Sequence, residues 1–119
     1  VFNMPFIETI FFKDDKKKLK EINKLISLKI SNIFDIQGNT ITIYNNFIDK
    51  KNFNHNFING SSEKRIFIKI SGLRRSVTKK KKLSNAIIKD LKKIIKVKHP
   101  TNIAIYFYDR SKADIYHGY

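Results

Sequence analysis

The chain has 119 residues, 41% of them hydrophobic, and 25 Lys and Arg against 10 Asp and Glu, a formal net charge of +15. The apolar share excludes a disordered chain, and the length implies one domain, residues 1–119, large enough for a real core. Without cysteine there is neither a disulfide nor a thiolate metal site, and no apolar run approaches the roughly 18 residues of a membrane span.

Val1-Phe2-Asn3-Met4 has no basic flank or small-residue cleavage site, so the expected location is the cytoplasm, with no membrane partner. The first strand follows at Pro5-Phe6-Ile7-Glu8-Thr9-Ile10-Phe11-Phe12. Asp14 or Asp15 can cap a first helix. In it Leu19, Ile22, Ile26, Ile30 and Ile33 recur at steps of three and four, one apolar stripe with lysines opposite. Gly38 suits the turn into a second strand, Asn39-Thr40-Ile41-Thr42-Ile43-Tyr44. The asparagine-rich stretch 45–62 reads as a connection, whose Phe47, Phe53 and Phe57 fold back on a core or on a neighbouring subunit.

The order then repeats. A third strand covers residues 65–72. A second helix begins near Ser76 or Thr78, with Leu83, Ile87, Leu91 and Ile94 as its stripe, and ends at Lys98-His99-Pro100. Lysines 79–82 fall in its first turn, against the helix dipole, where a solvated run is the expected state. The last strand is Asn102-Ile103-Ala104-Ile105-Tyr106-Phe107-Tyr108. Matched positions lie roughly 60 residues apart, so the chain reads as two βαβ units in tandem. The units cover residues 5–46 and 64–109, with a connection at 47–63 and a tail at 110–119. The expected fold is a four-stranded sheet with two helices on one face, of the α/β (α+β) class.

Alternation sorts the strand faces. Ile41, Ile43, Ile66, Ile68, Ile70, Ile103, Ile105 and Phe107 should receive the helices. The reverse face carries Thr42, Tyr44, Phe67, Lys69, Ala104, Tyr106 and Tyr108. That face is too apolar to be left wet and too polar for a second helix layer. It suits sheets from several subunits packed together.

The charge has two readings. One is an electrostatic footprint for nucleic acid. The other is composition, since Lys, Asn, Ile and Phe all have AT-rich codons. Arginine, the usual bidentate reader of phosphate and guanine, supplies only four of the 25 basic residues. The compositional reading is therefore favoured, and nucleic acid is a possible partner but not the favoured one. Four strands and two helices also describe RNA-recognition folds. Ile66-Phe67-Ile68-Lys69-Ile70 lacks their glycine-aromatic motif.

Four stretches resemble the tautomerase superfamily, in its migration-inhibitory-factor and cis-3-chloroacrylic acid dehalogenase branches. They are Met4-Pro5-Phe6-Ile7, Gly60-Ser61-Ser62-Glu63, Gly72-Leu73-Arg74-Arg75-Ser76, and Ile105-Tyr106-Phe107-Tyr108-Asp109 followed by Tyr116-His117-Gly118. The resemblance implies a β-α-β repeat assembled as a homotrimer, and an isomerase that moves a proton in keto–enol tautomerisation of a small anionic 2-keto or unsaturated carboxylate. No cofactor and no metal is implied.

In that reading Pro5 is the general base, provided that the chain begins there and its nitrogen is a free amine. An apolar pocket beside cations disfavours the protonated amine. Arg74 and Arg75, with Leu73 in the same loop, would hold the substrate carboxylate. Tyr106 would donate a hydrogen bond to the carbonyl or position water. Asn32 stands where the dehalogenase branch has a histidine late in the first helix. His117 or Asp114 is the candidate replacement for that branch's C-terminal glutamate. The alternatives are a catalytically silent trimer that binds a partner, and a basic nucleic-acid-binding domain.

Overall fold

The structure is a computed structural model and describes residues 5–114. Strand β1 (Phe6–Phe12) is followed by helix α1 (Leu19–Phe34) and strand β2 (Thr42–Ile48). A short hairpin comes next, β3 (Asn54–His55) and β4 (Ile58–Asn59). Then come β5 (Ile66–Leu73), α2 (Val77–Leu91) and β6 (Ile103–Arg110). The four long strands form one sheet in the order β2-β1-β5-β6. β1 pairs parallel with β2, and β5 parallel with β6, while β1 and β5 meet antiparallel. Each half is thus an unsplit βαβ unit. A split βαβ arrangement places another strand between the two of a unit, so the chain does not have that topology.

Both helices lie on the face where alternation put the apolar residues. Ile7 and Phe11 of β1, Ile66 and Ile68 of β5, Ile22, Ile26 and Ile30 of α1, and Leu83, Ile87 and Leu91 of α2 form the buried core. Each such side chain contributes about 1.5–3 kcal/mol by leaving water, and truncating one, as in Ile26→Ala, costs about 2–5 kcal/mol.

Several boundaries differ from the sequence reading, each for a local reason. α1 begins at Leu19, and a 3₁₀ segment, Lys13–Lys18, precedes it. Asp15 does not cap the helix. It is buried, and its carboxylate takes the Lys64 ammonium at 2.8 Å. β2 runs on to Ile48, through part of the stretch read as connection. Asparagine is a poor strand former, but the Asn45 amide donates to Thr9 Oγ1 at 2.6 Å and exchanges hydrogen bonds with Asn23, at 2.9 and 3.1 Å. A polar network on the helix side thus replaces an apolar contact.

Of the three connection phenylalanines, Phe53 packs on Phe12 with ring centres 4.8 Å apart, and Phe47 faces Phe11 at 6.4 Å. Phe57 is fully exposed at the hairpin turn, with φ at 65°. α2 starts as expected, its Ser76 hydroxyl accepting from the Lys79 amide, but it ends at Leu91. Ile95 supplies the next buried side chain, while Ile94 is half-buried. No helix among the described residues is long and apolar enough to cross a membrane.

Candidate active site

At one end of the sheet, on the helix side, the chain leaves a narrow cleft. Strand register brings its parts together. β1 and β5 pair with Phe6 opposite Ser71, which sets Pro5 beside Gly72, and β5 pairs with β6 so that Gly72 lies opposite Asp109. Pro5 is buried, and its carbonyl accepts from the Thr42 amide at 3.2 Å. Gly72 has no side chain between itself and the ring: a Cβ there would sit 3.4 Å from Pro5 Cβ.

The wall opposite comes from the end of α1. Asp35 turns left-handed (φ 55°) and stops the helix, and the Ile36 amide returns to the Ser31 carbonyl at 3.1 Å. This brings both Phe34 and Ile36 to the cleft, where Ile70 and Phe107 complete the apolar lining. Phe34 and Phe107 stand 6.3 Å apart.

Three charged side chains enter this lining. Arg75 lies just before the Ser76 cap, its guanidinium 5.2 Å from the Phe34 ring centre and donating to the Arg74 carbonyl at 3.2 Å. Lys80 reaches in from the first turn of α2, 5.6 Å from the Phe107 ring, and donates to Asp109 at 2.6 Å. Two cations against one anion leave the cleft with one net positive charge beside Pro5. Such a site favours a ligand with one carboxylate. Within one chain its free interior is about 10 Å³, room for the centre of roughly one water molecule.

No protein-family model matches the sequence, and no curated protein matches it. Solved structures do match in three dimensions. A macrophage migration inhibitory factor-like protein from Entamoeba histolytica superposes with a TM-score of 0.75, over 98% of this chain and 96% of that one, at 17% identity. A malonate semialdehyde decarboxylase, solved inhibited by 3-bromopropiolate, gives 0.77 over 96% and 89%, at 13% identity. A fused 4-OT, solved as an asymmetric trimer, gives 0.80 over 95% and 92%, at 10% identity. The chain has the tautomerase-superfamily fold.

In this tautomerase fold the expected site residues fall into separate groups. Pro5 and Arg75 line the cleft together. Arg74 is exposed, and its carbonyl anchors Arg75. Leu73 ends β5, opposite Arg110. Asn32 is exposed on α1 and is not part of the lining. Tyr106 is on the reverse face of β6, since its neighbour Phe107 faces the cleft. It is 52% exposed, with its ring 5.2 Å from Phe67. His117 lies outside the described residues.

Lys80, Asp109, Phe34 and Ile36 were not legible as site residues. For Lys80 a signal existed. It stands three residues before Leu83 and seven before Ile87, so of the four lysines at 79–82 it is the one in line with the buried stripe. The other three are exposed, as a solvated run should be.

Proposed function

We propose that this chain is a tautomerase-like isomerase acting on a small 2-keto or unsaturated carboxylate. The observation that carries this reading is the placement of Pro5, buried in an apolar cleft that also holds Arg75 and Lys80. Where the Pro5 nitrogen is a free secondary amine, the apolar wall and the one net positive charge that Arg75 and Lys80 leave against Asp109 disfavour its protonated form, and it serves as a base. Arg75 pairs with the substrate carboxylate. The Pro5 nitrogen takes the enol O–H proton, the oxygen becomes carbonyl, and the same proton is delivered to the neighbouring carbon. Nothing is oxidised or reduced and no cofactor takes part. Arg75 also stabilises the enolate-like charge in between.

The working unit is a homotrimer in this proposal. One chain offers space for about one water, and Tyr106 faces away from its own cleft, so a second copy must supply both the remaining wall and the tyrosine hydroxyl. The reverse face suits that role. Phe6, Tyr44, Tyr106 and Tyr108 are exposed large side chains on it, around a Glu8–Lys69 ion pair at 3.4 Å. An exposed apolar patch of this kind marks a protein interface. The fused 4-OT of the same fold is a trimer.

The test is conversion of enol-phenylpyruvate by two forms of the chain, one beginning at Pro5 and one at Val1. Turnover by the Pro5 form alone supports the proline base. Silence in both removes the enzyme reading and leaves a catalytically silent assembly of the same fold.

A further inference from the structure

The lysines are not spread evenly over the fold. On the reverse face of the sheet Lys69 is the one described lysine, and it is paired with Glu8. The outward side of the helix layer is different. Asp90 there is shared by Lys29 at 2.9 Å and Lys93 at 3.6 Å. Lys20 and Lys24 of α1 and Lys81, Lys82 and Lys89 of α2 are exposed and have no acidic partner among the described residues. Glu21 is the nearest exception on α1, an exposed acid between Lys20 and Lys24. The two helices lie side by side on the sheet, so these cations share one surface. Like charges left unpaired destabilise a compact state by self-repulsion, and a polyanion laid across them relieves it.

Two observations select the polyanion. Membrane-surface helices need a continuous outward apolar stripe for insertion. Among the described residues the helices expose two large apolar side chains, Leu28 and Val77, one on each helix, which is no continuous stripe. Lysine ammonium groups, in contrast, suit the phosphates of a nucleic acid as point charges. Arginine forks that read base edges are missing from the two helices, neither of which contains an arginine. We infer that the outer helix layer binds the phosphate backbone of double-stranded nucleic acid without sequence preference, on the side opposite the tyrosine-bearing sheet face. This goes beyond the tautomerase reading and does not depend on it.

The test is fluorescence anisotropy of a short labelled DNA duplex, titrated with the full chain between about 50 and 200 mM salt. Two double variants remove the same charge from different places. K82Q with K89Q takes it from the outward side of α2. K50Q with K51Q takes it from the exposed 3₁₀ turn after β2, Lys50–Asn52. The expected result is a salt slope shallower by about 1.8 for the α2 variant, at roughly 0.9 per lost phosphate contact. The wild-type slope is retained in the other variant, and affinity is equal for duplexes of unrelated sequence. Equal flattening in both variants would mean bulk charge with no binding face and overturns the inference. So does a duplex preference by sequence, the absence of salt-dependent binding, or tighter binding to phosphatidylserine vesicles than to the duplex at equal phosphate.

Discussion

Gly72 and Pro5 are in near-contact across the β1–β5 pairing, with 3.4 Å between a Cβ built on Gly72 and the Pro5 Cβ. That distance is the close edge of ordinary van der Waals contact, so a methyl group fits against the Pro5 ring. Gly72→Ala is expected to keep stability within about 1 kcal/mol, since alanine also lowers the entropy lost on folding. Gly72→Val has to move the Pro5 ring, and a shift of the base by a fraction of an ångström is expected to lower turnover at least tenfold. Phenylpyruvate kinetics beside thermal unfolding of both variants check this. Equal activity in the two would show that the ring position does not matter.

The Lys80–Asp109 pair is half-buried and short, at 2.6 Å, whereas Lys13–Asp49 at 3.1 Å is largely in water. Removing one partner of the inner pair leaves a poorly solvated charge. Asp109→Ala is therefore expected to cost about 1–3 kcal/mol in urea unfolding, and Asp49→Ala less than about 1 kcal/mol. A double-mutant cycle on Lys80 and Asp109 should show coupling that the outer pair lacks.

Lys64 joins the start of the second half to the 3₁₀ segment before α1, through Asp15 at 2.8 Å and Asp14 at 3.0 Å. Burial is the largest single influence on its amino group and works against the charge. The hydrogen bonds to Asp15 and Asp14 and their negative charges together outweigh it, so the group is held above the usual lysine range. A raised value in the folded state means that the stabilisation is complete below the ordinary lysine value of about 10.4, and is lost as pH rises through the folded value. Lys64→Met is expected to be less stable than wild type at neutral pH by about 1–3 kcal/mol. The gap should close in strongly alkaline solution. Unfolding midpoints of both proteins across that range decide it; a gap that persists unchanged means packing, not charge, is at work.

Phe57 combines full exposure with a left-handed backbone (φ 65°). An L-residue in that conformation gives up about 1 kcal/mol relative to glycine. If the hairpin turn is part of the subunit contact, Phe57→Gly is expected to weaken association in sedimentation experiments while leaving each chain as stable or slightly more so. Unchanged association with raised stability would remove the turn from the interface.

Much of the architecture was legible because burial in regular elements is periodic along the chain. Ile22, Ile26 and Ile30, or Ile66, Ile68 and Ile70, announce their faces without reference to anything distant. The same parity places Tyr106 opposite to Phe107 from sequence alone. β2 was read short because asparagine is a poor strand former, and nothing near Asn45 in sequence reveals that Asn23 and Thr9 will satisfy its amide. The α1 start was misplaced for a similar reason. Asp15 has the chemistry of a helix cap, but Lys64, far along the chain, competes for its carboxylate and wins.

By itself, then, the sequence determined the two amphipathic helices, the tandem βαβ order and the apolar face of each strand, because those depend on spacing within single elements. Only the tertiary structure decided that Pro5, Gly72 and Asp109 share one end of the sheet, so that Lys80 meets Asp109 beside Pro5. These juxtapositions depend on the register between strands distant in sequence. Register is set by hydrogen-bonded pairing and by packing over the whole sheet, which no local pattern records.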